Sequence, residues 1–192
     1  MEITIHAPIA RKTIPNGVLA MIFLLATEAM LFAGFISAYI VNRAGAMAWP
    51  PANQPRLPVE VTAVNTVVLI GSAVAIFLFA KQFKRKNFSL NLLAISIFLG
   101  AVFLVVQGTE WIKLIGFGLT TTSSLFGSFF YLLIGAHALH VLAGLTILFY
   151  LYFSIKKTNS PEHSQSTITV CSMYWYFVVG IWPVLYILVY LI

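Results

Sequence analysis

The chain has 192 residues, of which 60% are apolar and 8% are charged, whereas soluble domains carry about 25% charged residues. Lys and Arg outnumber Asp and Glu by 11 to 5, which gives a formal net charge of +6. This composition excludes a disordered chain, a disulfide-rich secreted scaffold and an ordinary soluble enzyme, and it predicts a polytopic membrane protein. Because the basic residues fall between apolar runs rather than on one polar face, we expect no binding to nucleic acid.

Five apolar stretches are long enough to cross a bilayer, which takes about 20 residues of helix. In hydrocarbon the backbone must satisfy its own hydrogen bonds, and a barrel would show alternating strands of about ten residues instead. We therefore predict an all-α fold with five transmembrane helices, forming a single membrane domain over residues 1–192. The predicted spans cover residues 18–41, 60–80, 90–111, 126–153 and 168–192.

The short segments between the spans predict the orientation, because Lys and Arg favour the cytoplasmic side. With the N-terminus inside, the outer segments hold three of these residues, Arg43, Arg56 and Lys113. The inner segments hold eight, namely Arg11, Lys12, Lys81, Lys84, Arg85, Lys86, Lys156 and Lys157. We therefore expect an N-in, C-out topology.

Glu28 lies near the middle of the first span, where a charged group is costly and is a functional candidate. The fourth span carries His137 and His140. Counted from opposite membrane surfaces at about 1.5 Å per residue, Glu28 and His137 lie at the same depth. We therefore predict a contact between Glu28 and His137, with His140 one helical turn nearer the cytoplasm.

Several roles are open for this buried polar group. A protonated carboxyl can serve helix packing by bonding to a neighbouring helix, and the same group can take part in proton uptake or contact a lipid. A metal or haem is disfavoured, because one span alone carries histidine and the chain has a single cysteine, Cys171. We therefore expect no catalytic residue, metal or bound cofactor on this chain.

Further polar and aromatic residues lie in the third, fourth and fifth spans. Gln107 and Glu110 lie near the end of the third span, where Glu110 is expected to be a solvated interfacial charge. Ser124 precedes the fourth span at a position suited to cap its helix. The last span carries an aromatic group that predicts packing or anchoring rather than a cofactor site: Tyr174, Trp175, Tyr176, Phe177 and Trp182.

Four motifs, in this order, resemble subunit III of the haem–copper terminal oxidases. The first is the segment Ala-Thr-Glu-Ala-Met-Leu-Phe-Ala-Gly-Phe at 26–35, which is similar to the family's membrane-glutamate motif. The second is Gln107 with Glu110 and Trp111. The third joins Gly-Ser-Phe-Phe at 127–130 to Gly-Ala-His-Ala-Leu-His-Val at 135–141, and the fourth is the aromatic group of the last span.

The resemblance implies the short, five-span bacterial form of this family, in the cytoplasmic (inner) membrane. It implies a subunit that packs against the catalytic subunit I and other oxidase subunits, which hold the haem and copper. It also implies tightly held structural phospholipid in a cleft, stabilisation of the active centre and help with proton entry, with Glu28 at the family's buried carboxylate. The complex would reduce oxygen to water with electrons from cytochrome c or quinol, and pump protons.

One departure from the family pattern lies in the last span. The family commonly has Trp-His-Phe-x-Asp there, whereas this chain reads Trp-Tyr-Phe-Val-Val from Trp175, so Tyr176 and Val179 replace the His and the Asp. Contacts made by those two polar residues are not carried over to this chain. Two other functions stay open: an accessory subunit of a related reductase, such as a nitric oxide reductase, and a free-standing proton channel or transporter built around Glu28 and His137.

Overall fold

The computed structural model describes residues 14–52, 54–85, 89–157 and 161–192, with side chains from residue 165 onward in the last range. This part of the chain holds five α-helices that are long and apolar enough to cross a membrane, and no β-strand. The predicted all-α class with five membrane-spanning helices is therefore confirmed. Three residues used to predict the orientation, Arg11, Lys12 and Lys86, lie outside the described residues.

The helices are α1 (Asn16–Ala44), α2 (Val59–Lys84), α3 (Leu90–Gly116), α4 (Leu125–Lys157) and α5 (Pro161–Tyr186), and α5 continues into a π-helical turn at Ile187–Leu191. Prolines stand directly before α1 and α2, at Pro15 and Pro58. Serine hydroxyls cap the next two helices: Ser89 Oγ accepts a hydrogen bond from the Asn91 amide, and Ser124 Oγ accepts one from the Gly127 amide at 3.0 Å. Ser124 thus caps α4 by satisfying one of the free N–H groups of its first turn.

Neighbouring helices run in alternating directions, as the contacts between them show. Along α4 and α5, Gly144 lies against Trp175 and His137 against Trp182, so the residue numbers rise on one helix as they fall on the other. Along α1 and α5, Gly17 lies near Val170 and Tyr39 bonds to Leu188, so these two helices are parallel. The chain therefore forms an up-down-up-down-up bundle.

The core of the bundle is centred on α5, which packs against α1, α2 and α4. The largest fully buried side chains include Trp175 and Trp182, both on α5. The first helix is peripheral, because Met21, Phe32 and Tyr39 are its three buried residues. The polar groups discussed below lie between α5 and its neighbours, and between α1 and α4.

Candidate functional site: a buried polar and aromatic network

Glu28 on α1 and His140 on α4 are in direct contact where these two helices meet. Glu28 Oε2 lies 2.9 Å from His140 Nε2, and His140 Nδ1 lies 2.7 Å from the carbonyl oxygen of Ala136. A carbonyl oxygen can only accept a hydrogen bond, so Nδ1 carries a proton. Nε2 then either donates to a carboxylate or accepts from a protonated carboxyl, which means that the two side chains share one proton.

The Glu28–His140 pair lies at the edge of the bundle rather than at its centre. The exposed fraction of the side chain is 24% for Glu28 and 13% for His140. Phe32, one turn along α1, packs edge-on against the His140 ring with the ring centres 5.0 Å apart. Phe32 also contacts Phe177 of α5 at 6.3 Å. The pair therefore has contacts from three helices, while the Glu28 side chain remains partly exposed at the outer surface of the bundle.

The predicted contact between Glu28 and His137 is wrong. Counting residues from the membrane surface does not resolve one helical turn, which is about 5.4 Å. Residues three apart also point in directions that differ by about 60° around the helix axis. His140 consequently faces α1, whereas His137 faces the rings of Phe103 on α3 and Trp182 on α5.

His137 is a fully packed ring inside the bundle, with 1% of its surface exposed. It stacks on Trp182 with the ring centres 4.8 Å apart and the planes 29° apart. Neither ring nitrogen has a hydrogen-bond partner among the described residues. Trp182 in turn donates its indole N–H to the Thr66 hydroxyl on α2 at 2.8 Å. His137 therefore contributes to the contact between α4 and α5 and not to the pair with Glu28.

Trp175 occupies a slot between two glycines, Gly100 on α3 and Gly144 on α4. A Cβ atom added at either glycine would lie 2.8 Å from the indole ring, closer than real Cβ contacts allow. The ring is 0% exposed, and its N–H donates to the Ser72 hydroxyl on α2 at 3.1 Å. The Trp175 slot thus joins four helices, and both glycines are required by the close approach of the ring.

A line of polar residues on α2, not predicted from the sequence, holds these tryptophans. Thr62 is followed by polar residues three and four positions later, and Ser72 lies seven positions, or two turns, after Asn65, so they share one face of the helix. All four are buried: Thr62, Asn65, Thr66 and Ser72. Asn65 Nδ2 donates to the Phe103 carbonyl at 3.0 Å, and the Ser72 carbonyl accepts from the Ser96 hydroxyl at 2.8 Å. Small polar residues that recur in this way within an apolar span are typical of helix–helix contacts, and that pattern is visible in the sequence.

The polar residues of α3 are buried as well. Gln107 Nε2 donates to the Tyr190 hydroxyl at 2.8 Å. Glu110 accepts a hydrogen bond from Lys113 Nζ at 2.7 Å, and 8% of its surface is exposed. The expectation that Glu110 is solvated is therefore wrong, because the rest of the bundle covers the carboxylate and Lys113, one turn later, neutralises it while reaching outward.

The sequence matches known proteins along almost its whole length. Residues 3–192 match the family model described as cytochrome c oxidase subunit III. The chain belongs to the cytochrome c oxidase subunit III family. It is 34% identical to cytochrome c oxidase subunit 3 of Synechocystis over 179 residues, which is 90% of this chain and 74% of that protein. It is also 34% identical to the Corynebacterium diphtheriae protein of the same name over 189 residues, which is 93% of this chain and 89% of that one.

Relatives of this family extend to animals, and the match again covers most of both chains. Cytochrome c oxidase subunit 3 of Syncerus caffer is 30% identical over 193 residues, which is 96% of this chain and 72% of that protein. Family membership identifies the chain as an oxidase subunit III. The five long apolar helices indicate that it is a multi-pass membrane protein.

The positions at which this member departs from the family pattern differ in their surroundings. Tyr176, where the family commonly has His, is 37% exposed on the outer side of α5. Val179, where the family commonly has Asp, is 5% exposed and packs in the core. Val179 is thus an apolar residue of the core, whereas Tyr176 is partly exposed on α5.

No set of ligands for a metal is found in the described part of this subunit III. Among those residues, no three His, Cys, Asp or Glu side chains come together to hold a metal ion. His137 and His140 lie on different faces of α4, and Cys171 is buried on α5 without a disulfide partner. The side chains of the described residues thus offer no donor set that fits a haem–copper centre.

Proposed function

We propose that this chain is the non-catalytic subunit III of a respiratory haem–copper oxygen reductase, a cytochrome c or quinol oxidase. The observation that carries the proposal is the family match over residues 3–192, together with the lack of a metal-ligand set in the described residues. In this proposal the subunit packs against catalytic subunit I and other oxidase subunits, which hold the haem and copper. Structural phospholipid fills its grooves in the bacterial cytoplasmic membrane.

The proposed orientation is N-in, C-out. The basic residues at the ends of α2 and α4 supply the support for it, since Lys81, Lys84, Lys156 and Lys157 lie in the last turns of two parallel helices. They therefore lie at one end of the bundle, which we call the basic end. Lys and Arg near the ends of spans favour the cytoplasmic side.

The proposed stabilising role rests on how α5 is held. Trp175 is enclosed by glycines and bonded to Ser72, and Trp182 is stacked on His137 and bonded to Thr66. Buried indole rings with satisfied N–H groups fix the position of a helix more closely than aliphatic packing alone. We propose that this rigid bundle supports the active centre of subunit I from the side.

The proposed role in proton uptake rests on the Glu28–His140 pair. Its two side chains share one proton across 2.9 Å, and the Glu28 side chain is partly exposed at the surface of the bundle. The shared proton can move between the two side chains without changing the net charge of the pair, whereas release or uptake of a proton changes that charge by one, at the partly exposed edge of the bundle. We propose that it buffers protons beside subunit I during sustained turnover.

The test is purification of the tagged chain from its membrane in mild detergent. Co-elution of haem-containing subunits that reduce oxygen supports the proposal. A haem complex that reduces nitric oxide and not oxygen would favour the related reductase, and a colourless homo-oligomer would favour the channel or transporter. With the oxygen-reducing complex in hand, the Glu28→Gln variant should lose activity faster during continuous turnover than wild type, while its initial rate stays close to normal.

A matched control for that experiment is Glu60→Gln, which removes a carboxylate from the first turn of α2. If the two variants keep their activity for equally long, the Glu28–His140 pair has no part in sustaining turnover. The subunit III assignment is then unaffected, because co-elution of the haem-containing subunits decides it separately.

A further inference from the structure

A pocket lies at the end of the bundle opposite the basic end. Its volume is about 330 Å³. Residues of the loop between α1 and α2 form one wall, and further lining comes from Tyr39 on α1, Phe126 on α4 and the π-helical turn after α5. Neither Glu28 nor His140 lines the pocket, so it is separate from their contact.

Trp49 holds the loop wall of the pocket against the helices. Its indole N–H donates to the Tyr39 hydroxyl at 3.0 Å, and the Tyr39 hydroxyl donates to the Leu188 carbonyl at 3.3 Å. The Trp49 ring also packs edge-on against Phe126, with the ring centres 5.5 Å apart. Because these aromatic walls are fixed by contacts within the chain, a partner that binds there does not have to order them.

Arg56 brings a positive charge to the pocket without a carboxylate to neutralise it. This residue is exposed and lines the pocket from the loop, and the lining includes no Asp or Glu. The ion pairs among the described residues are those of Glu28 and Glu110, so Glu60 in the first turn of α2 does not pair with Arg56. A planar guanidinium of this kind is suited to bind a carboxylate through two hydrogen bonds.

The other two basic residues at this end of the bundle are already engaged. Arg43 donates to the Ile192 carbonyl, and Lys113 is paired with Glu110 at 2.7 Å. Within the described part of the chain, Arg56 is therefore the basic side chain at this end that is left to bind an anion.

Gln54 adds an unsatisfied hydrogen-bond acceptor to the same loop wall. Its side-chain oxygen Oε1 is buried and has no hydrogen-bond partner among the described residues, and Gln54 lines the pocket two residues before Arg56. Buried polar groups in folded proteins nearly always have a partner. Gln54 Oε1 therefore calls for an N–H or O–H donor from outside this chain.

The combination of groups selects the class of partner. A peptide segment with an acidic residue supplies a backbone N–H for Gln54, a carboxylate for Arg56 and an apolar side chain for the aromatic walls. A small inorganic anion would satisfy Arg56 but leave the aromatic walls uncovered. The loop that carries Gln54 and Arg56 lies beyond the ends of α1 and α2, which favours a partner segment that also lies outside the membrane helices.

We propose that this pocket docks an acidic loop of another oxidase subunit. An Asp or Glu of that loop binds Arg56, a backbone N–H donates to Gln54 Oε1, and an apolar side chain packs against Trp49 and Phe126. The inference rests on the proposed function, because it requires that the chain is part of an oxidase complex. It adds a specific polar contact beyond the helix ends to the packing of helices within the membrane.

The test places a reactive amine in the pocket of the purified complex. Arg56→Lys keeps the positive charge, and a water-soluble carbodiimide then joins the new amine to a carboxylate in contact with it, because the amide forms without a spacer. Mass spectrometry identifies the linked peptides. The matched control is Thr121→Lys, which places an amine at an exposed site just before α4, at the same end but outside the pocket.

Arg56→Lys should link to an Asp or Glu in a loop of another subunit, and the control should not link to that residue. Arg56→Gln should increase the release of this subunit from the complex by up to about fivefold, as expected for an exposed ion pair. The difference should shrink as salt is added. Gln54→Leu should also increase release, because it leaves the partner's N–H without an acceptor.

Four results would overturn the proposal while the haem-containing subunits still co-elute: no link from Arg56→Lys to another subunit, a link to Glu60 of this chain alone, equal linkage by the control, or unchanged release of Gln54→Leu. In each case the subunit III assignment stands, because co-elution decides it separately. Elution of the chain without any partner subunit would overturn both proposals.

Discussion

The Trp175 slot predicts that Gly144 tolerates no larger residue. In Gly144→Ala the new Cβ would meet the indole ring at 2.8 Å. The ring also lies close to Gly100, where an added Cβ would likewise come within 2.8 Å of it, and its N–H is bonded to Ser72. Because the ring has nowhere to move, the substitution must separate α4 from α5 or tilt the indole. Overpacking of this kind costs about 1–3 kcal/mol.

The matched control is Gly135→Ala on the same helix, where an added Cβ meets nothing within 4 Å. Both substitutions gain from the better helix propensity of Ala, by up to about 1 kcal/mol. The difference between the two variants therefore isolates the clash with Trp175. We expect Gly144→Ala to be less stable than Gly135→Ala by about 1–3 kcal/mol of unfolding free energy.

The assay is reversible unfolding of the purified chain in mixed micelles with increasing SDS, followed by far-UV circular dichroism. A double-mutant cycle with Trp175→Leu adds a second criterion, because removing the ring should make Gly144→Ala nearly as well tolerated as the control. If Gly144→Ala and Gly135→Ala differ by less than about 0.5 kcal/mol, a spread expected for sites without strain, the slot is not rigid and the reasoning fails.

Three further predictions use the same unfolding assay. The effects of Glu28→Gln and His140→Gln on the unfolding free energy should be non-additive by about 0.5–3 kcal/mol, because the two side chains are in contact. The effects of Glu28→Gln and His137→Gln should be additive. The reverse pattern would contradict the Glu28–His140 contact. Ser72→Ala should lower the unfolding free energy by about 0.6 kcal/mol and at most about 1.7 kcal/mol, as for other hydrogen bonds between membrane helices. A variant more stable than wild type would contradict this prediction. Ser124→Ala should cost about 0.5–2 kcal/mol through loss of the α4 cap, while Ser124→Asp should retain the cap.

The helices were predictable because the bilayer imposes a simple rule on the sequence. A run of about 20 apolar residues has no alternative to helix in hydrocarbon, so length and composition were enough to find five spans. The cap at Ser124 was predictable for a similar reason, since it depends on the residues beside it in the sequence. Both features are local, and neither requires knowledge of which helices are neighbours.

The partner of Glu28 was not predictable from depth alone, because it depends on how far α4 is rotated about its axis. That rotation is set by distant contacts: Gly144 must face Trp175, and His137 must stack on Trp182. With these two residues directed toward α5, His140 is left facing α1. The glycine was visible in the sequence, but the tryptophan that it accommodates lies 31 residues further along the chain, on another helix.

The role of α2 was overlooked for a different reason. Thr66 and Ser72 are uncharged and common in membrane helices, so each looks ordinary on its own. They matter because each accepts a hydrogen bond from a tryptophan of α5. The role of this face of α2 can be recognised only when α5, with its two indole N–H donors, is known to pack against it.

The peripheral position of α1 has a consequence for the order in which the subunit assembles. Its main contacts are with α4 and α5, which follow α2 and α3 along the chain. A helix α1 that enters the membrane before α4 therefore has Glu28 unpaired until His140, more than one hundred residues later in the chain, has been inserted. During that interval the Glu28 carboxyl group lacks its hydrogen-bond partner. Insertion of α4 supplies that partner, His140.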